Sequence, residues 1–258
     1  MERIPLPSTI RFEAGAEKGI GKLVVEPLYP GFGTTVGNAL HRILLSSLPS
    51  AAVIAIRIAG APHEFTALPK VQEDLLQIIM NVKQLRLKLF NDEVVKVELH
   101  AKGQKQVTAG DITANSSIEI ANPELVLATL TSKDAALDME LWVQQGRGYD
   151  IGDSYGDALP REAGIITVDA FYSPVRRVSF TVERARVGQM TNFDKLVMTI
   201  ETDNTISGEE AVKASAKILV DHFAHIGALG ITGSDEVAEI ATPEEAVPVV
   251  KKRAKKDA

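Results

Sequence analysis

Apolar positions along this chain change period several times, and each change marks a new element. Residues 8–26 read as two short strands around a turn region holding Gly15, Gly19 and Gly21. Then GFGTTVGNALHRILLSSLP runs from a glycine-rich turn straight into a helix that ends near Leu48, before Pro49. The run AAVIAIRIA at 51–59 predicts a strand, closed by Gly60 and Pro62. Residues 70–82 carry Val71, Leu75, Ile78, Ile79 and Val82 at helical spacing. Leu85, Leu87 and Leu89, and then Val95, Val97 and Leu99, alternate with other residues as half-buried strands do. Asn122-Pro123 reads as the start of a short helix. Leu137, Met139, Leu141 and Val143 predict a further strand.

Residues 146–164, GRGYDIGDSYGDALPREAG, predict a loop, and three strands follow at 165–171, 175–187 and 196–202. Ser207-Gly208-Glu209-Glu210 is a capping box, with Ser207 placed to cap and Glu210 to reach back; it opens a helix over 209–226. From Ser234 the composition turns acidic and then ends in KKRAKKDA without apolar periodicity, which predicts a disordered tail. Strands and helices mix without regular βαβ alternation, so the fold class is α+β. The two longest helices stand near opposite ends of the ordered chain. A strand-rich block over about 50–166 lies between them as a candidate inserted subdomain.

On a wheel of about 100° per residue, the first long helix gathers Val36, Leu40, Ile43 and Ser47 on one face, flanked by Ala39 and Leu44. Asn38, Arg42 and Leu45 share the opposite face. Two readings of that second face stand: a partner surface, or a solvated charge beside an ordinary exposed leucine. The second long helix carries Val212, Ala216, Leu219, Phe223 and Ile226 as a stripe, widened by Ala211, Ala214 and Ile218. Two such helices can pack within one chain or across a two-fold axis.

Composition narrows the chemistry. The chain of 258 residues is 45% hydrophobic and 24% charged, with a net charge of −6, so the whole molecule is not drawn electrostatically to nucleic acid. It has no cysteine, which removes disulfides, thiolate metal sites and thiol nucleophiles. The N-terminus is charged and proline-containing where a signal peptide is apolar, and no apolar stretch reaches the length of a membrane span; a cytoplasmic protein is expected. Gly31-Phe32-Gly33 followed by Gly37 invites a nucleotide reading, and a homodimeric small-ligand protein using this turn is the rival hypothesis. Val36 nevertheless stands where a dinucleotide motif has its third glycine, and no lysine follows Gly37 as a P-loop needs. Asp150, Asp153 and Asp157 lack the alternation of a calcium loop, so no metal is expected there. His222 and His225, three apart on the last helix, read as helix-end histidines. No nucleophile, base and oxyanion donor come together in the sequence, so no catalytic residue and no cofactor are expected.

GFGTTVGNALHRILLSSLPS, VQEDLLQIIMNVKQLRL, VQQGRGY, VDAFYSPVRRVSFTVERARVGQ and TNFDKLVMTIETDNTISGEEAV together resemble, in order, the bacterial RNA polymerase alpha subunit family. The likeness runs from about Ile10 to about Ile226. It implies an amino-terminal domain of two parts: a dimerisation subdomain from residues 1–49 and 167–230, and an inserted subdomain from 50–166. Residues 231–258 are left as the tail. A chain of this kind forms a homodimer that is the assembly platform for the β and β′ subunits, with omega and sigma in the full enzyme, and is itself non-catalytic. The resemblance puts Arg42 at the β-binding position. Asn38 and Leu45 share its face, and His41 replaces the first of the family's paired arginines. Lys83, Val168, Arg176 and Arg177 match the side that meets β′. Val36, Leu40, Ile43, Leu44, Leu219 and Phe223 are the expected dimerisation residues. The family usually continues into a DNA-binding carboxy-terminal domain, which the resemblance does not reach in the sequence given, whether by nature or by truncation; KKRAKKDA reads as a solvated tail or, alternatively, as a loose, salt-sensitive contact with phosphates.

Overall fold

The computed structural model describes residues 4–113, 115–155, 159–160 and 162–228. In chain order the strands and helices are β1 (Thr9–Ala14), β2 (Ile20–Leu28), α1 (Phe32–Ser46), β3 (Pro49–Ile58), α2 (Leu75–Val82), β4 (Leu87–Leu89), β5 (Val95–Lys102), β6 (Gln106–Thr108), β7 (Ile118–Ile120), β8 (Val126–Thr129), β9 (Ala136–Arg147), β10 (Tyr149–Asp150), β11 (Ile165–Thr167), β12 (Ala170–Phe171), β13 (Val175–Val187), β14 (Met190–Thr202) and α3 (Gly208–Gly227). The α+β class is as expected, and by compactness the chain divides after Leu219.

Two sheets organise it. The first is antiparallel in the order β1-β2-β14-β13, so the two ends of the described chain meet in one layer. On one of its faces Leu23 and Val25 of β2, Leu196, Met198 and Ile200 of β14, and Val178 of β13 form a core with Leu40, Leu44 and Leu48. The second sheet has the order β5-β9-β3-β4-β7, with β11 added to β3. Its core takes Leu99, Met139, Leu141 and Val143 from the alternating strands and Leu75, Ile78 and Val82 from α2. The odd-position periodicity of β9 thus becomes a buried face, as a period of two requires.

Several elements depart from the sequence pattern. The helix expected over 70–82 is confined to α2. Val71 forms an isolated bridge with Leu130, and the Gln72 N–H donates to the Thr129 carbonyl at 3.0 Å, so this stretch behaves as strand. Asn122-Pro123 starts no helix. The Asn122 amide instead accepts from the Arg86 N–H at 2.9 Å and donates to the Gln84 carbonyl at 3.0 Å, tying a turn to the neighbouring segment. The strand expected at 165–171 breaks into β11 and β12, and β14 begins earlier than expected, at Met190. The loop expected over 146–164 is partly ordered: β9 continues to Arg147, and Tyr149 of β10 pairs with Phe171 of β12. The capping box at Ser207 forms as read, with the Glu210 N–H donating to Ser207 Oγ at 3.2 Å and the Ser207 N–H to Glu210 Oε2 at 3.1 Å. The tail over 231–258 lies outside the described residues.

Helix α1 lies close against the first sheet because two of its residues have no side chain. A Cβ on Gly37 would come within 2.7 Å of the Phe180 ring and 3.0 Å of Leu196 Cδ1. In Gly37→Ala, overpacking of about 1–3 kcal/mol should exceed the gain in helix propensity, about 1 kcal/mol. The expected outcome is a lower midpoint in urea unfolding; an unchanged or higher midpoint would contradict this packing.

Candidate functional site

The glycine turn is where a phosphate would sit if this chain bound one. Gly31 adopts φ 87°, a left-handed conformation open to glycine, and delivers the chain into α1. The first free N–H groups of a helix form an anion site. Here that site is filled from within the protein. Asp194 of β14 accepts the Gly31 N–H at 2.8 Å and the Gly33 N–H at 3.1 Å, both on Oδ2. Its side chain is buried, and a Cβ on Gly33 would meet the Asp194 Cβ at 3.0 Å and Val182 Cγ1 at 2.8 Å. A bound phosphate would have to displace a buried carboxylate of the same charge. Tyr29 and Phe32 pack edge to face at 6.1 Å, and Tyr29 meets Phe193 at 6.4 Å, closing the turn with rings. The amides on which the rival nucleotide reading depends are therefore already taken by Asp194.

The wheel of α1 is shared out between the protein's interior and its outside. Leu40 and Leu44 are buried in the core of the first sheet, at 7% and 0% exposure, so these two expected dimerisation residues hold their own chain together. Val36 and Ile43 are half-buried along the flanks. Asn38, Arg42 and Leu45 face out, and among the described residues the Arg42 guanidinium forms no ion pair. His41 does not join them: it is half-buried and packs its ring against Phe180 at 6.1 Å between centroids. A step of about 100° between successive residues separates it from the Arg42 direction.

The positions expected on the other partner surface also separate. Val168 is 3% exposed within the core of the second sheet, and its N–H donates to the Ile54 carbonyl at 2.8 Å. It can act only by shaping what lies beside it. Its neighbour Asp169 accepts from Lys83 Nζ at 3.2 Å and from the Gly152 N–H at 3.0 Å. The Gly152 N–H, then the Tyr149 hydroxyl and Lys83, hold the Asp169 carboxyl below its ordinary range, and Asp169 in turn pushes the Tyr149 hydroxyl up. Around this charged centre Tyr149 and Phe171 are exposed apolar rings, and Leu76 and Met80 of α2 stand exposed on the helix that ends at Lys83. Arg176 and Arg177 are exposed at the start of β13, with Arg177 paired to Glu201 at 3.0 Å.

On α3, Leu219 is half-buried and Phe223 is 62% exposed, as are Val220 and Ile226 to similar degrees. The sequence reading missed Val220, Tyr149, Phe171 and, above all, Asp194. One signal for Asp194 was present: it occupies the buried phase of β14, in step with Leu196, Met198 and Ile200, where an acid needs a partner. Among the described residues no group of three or more histidines and carboxylates is placed to hold a metal. No helix of the described residues is long and apolar enough to cross a membrane.

Replacing Asp194 by alanine should lower stability by about 1–2 kcal/mol, the usual cost of losing a strong helix cap. Urea unfolding measures it, and a midpoint equal to that of the unaltered protein would show that the carboxylate does not hold the helix end.

Residues 56–173 match the family described as the RNA polymerase Rpb3/RpoA insert domain. The chain is similar to the DNA-directed RNA polymerase subunit alpha of Desulfovibrio desulfuricans, with 45% identity over 214 residues, or 83% of this chain and 61% of that protein. It is similar to the subunit of the same name from Staphylococcus aureus strain Newman, with 45% identity over 246 residues, or 95% of this chain and 77% of that protein.

Proposed function

The chain belongs to the family of bacterial DNA-directed RNA polymerase alpha subunits, and from that premise we propose that it homodimerises and serves as the platform on which the polymerase β and β′ subunits assemble. The observation that carries the reading is the outer face of α1. Arg42 stands there exposed with Asn38 and Leu45, on a helix whose inner face is committed to the core. A guanidinium stays charged and offers a fixed fork of donors, which suits pinning a carboxylate or carbonyls of a larger protein. Leu45, 36% exposed, supplies apolar surface beside it.

The β′ subunit is assigned to the surface centred on Lys83 and Asp169, with Tyr149 and Phe171 as its apolar part and Arg176 and Arg177 as further cations. Aromatic and arginine anchors of this kind dominate protein interfaces. Dimerisation is assigned to Val36 and Ile43 on the α1 flanks and to Leu219, Phe223, Val220 and Ile226 on α3. The two sheets with their separate cores support a division into a dimerisation part and an inserted part. The chain supplies no catalytic group in this reading; the nucleotidyl transfer belongs to the large subunits.

Arg42→Ala should leave the dimer intact and weaken capture of β by roughly 2–5 kcal/mol, the loss expected for one partner of a desolvated charge contact. Co-purification of β at the level of the unaltered chain would overturn the assignment. Phe223→Asp should shift the protein from dimer to monomer in analytical ultracentrifugation, with helical content retained by circular dichroism. A stable dimer of that variant would move the interface elsewhere.

A further inference from the structure

The two sheets carry separate hydrophobic cores within one compact unit, called here the two bodies, and the chain crosses between them near Pro49 and Pro174. A crevice of about 410 Å³ lies beside this crossing, lined by Pro49, Ala51, Leu87, Lys88, Pro174 and Ile206 among others. Next to residues of this lining, one ion pair joins a segment of the second sheet's core to the loop after the first sheet. Arg86, just ahead of β4, has its backbone fixed in the second body: its N–H donates to Asn122 Oδ1 at 2.9 Å and its carbonyl accepts from the Ala121 N–H at 2.8 Å. Its side chain leaves that body for Asp203, in the loop between β14 and α3, with Nε 3.9 Å from Oδ2. The other ion pairs of the described residues join positions within one body, as Arg57 does to Glu140 and Lys195 to Glu183.

Asp203 is a firm anchor. It is 3% exposed, its N–H donates to the Pro174 carbonyl at 2.9 Å, and its Oδ1 accepts the Thr205 N–H at 3.0 Å. Arg86 is the loose side. Its Nε is buried and has no hydrogen-bond partner among the described residues. Burial pushes its guanidinium down from the ordinary value, Asp203 raises it, and the nearby Arg176 lowers it again. An arginine nonetheless stays charged. A separation of 3.9 Å is too long for a hydrogen bond, yet with Asp203 buried and Arg86 only partly exposed the attraction is less screened than at the surface. A small rocking of one body on the other would either close the bond or release it.

We infer that Arg86 and Asp203 form a latch between the two bodies, with Arg86 as the positioning residue that sets the pose of the second sheet against the first. The consequence rests on the proposed assembly role: Arg42 stands on one body and the Lys83–Asp169 surface on the other, so the latch sets their mutual placement. Two identical chains facing two different large subunits could then differ in pose without differing in sequence.

The absence of cysteine makes the test direct. Lys102→Cys on the second sheet and Thr199→Cys on the first, both at exposed positions, take spin labels in the full chain, diluted with excess unlabelled chain. Their distance distribution by pulsed electron resonance should be narrow, and it should broaden and shift in Arg86→Met and in Asp203→Asn. Arg86→Lys, which keeps the charge but not the guanidinium, should restore the narrow distribution that Arg86→Met loses, a rescue that simple loss of packing does not give. A distribution in Arg86→Met that superimposes on that of the parent chain overturns the latch. The measurement needs no polymerase subunit, so its failure would leave the assembly reading untouched, just as normal β capture by Arg42→Ala would leave the latch standing.

Discussion

The carboxylate of Asp194, seated on the first amides of α1, is the contact that fixes how this helix meets its sheet. It comes from β14, more than a hundred residues further along the chain, and ties that distant strand to the helix start with two hydrogen bonds. It also meets the positive end of the helix dipole with a fixed negative charge. Gly33 and Gly37 belong to the same contact, because a helix carrying side chains there could not come close enough for Asp194 to reach. Cap and glycine seam each require the other.

That seam decides which residues are free to meet partners. With Gly33, Gly37, Leu40 and Leu44 turned to the sheet, Asn38, Arg42 and Leu45 must turn away from it, since the helical period leaves them no other direction. His41 falls between the two faces and is taken up by Phe180. The exposed face of α1 is thus a by-product of how tightly the opposite face is packed.

The two-sheet plan adds a second consequence. The chain leaves the first sheet after α1, builds a complete second core, and returns through β13 and β14 to close the first. The exposed faces of α1 and of the Lys83–Asp169 region therefore rest on separate cores. Their relation depends on the crossing strands and on the Arg86–Asp203 pair.

Much of this was legible in the residues. Periods of two and 3.6 placed β5, β9, β13, α1 and α3, because a side chain's burial phase is set by local backbone geometry alone. The capping box at Ser207 was readable for the same reason: all its parts lie within four residues. The outward direction of Arg42 followed from the wheel. Other expectations failed where distant chain competed. Val71 was taken from a helix by Leu130, and Asn122 was recruited by Arg86. Leu40 and Leu44, apolar on the helical wheel, are buried in the core of the first sheet. The glycine turn shows the division most clearly. The sequence by itself determined that a tight turn enters a helix there, since glycine spacing is local information. Only the tertiary structure decided that a carboxylate from β14 takes up the amides of that turn, because a pairing over that separation leaves no periodic trace in either segment.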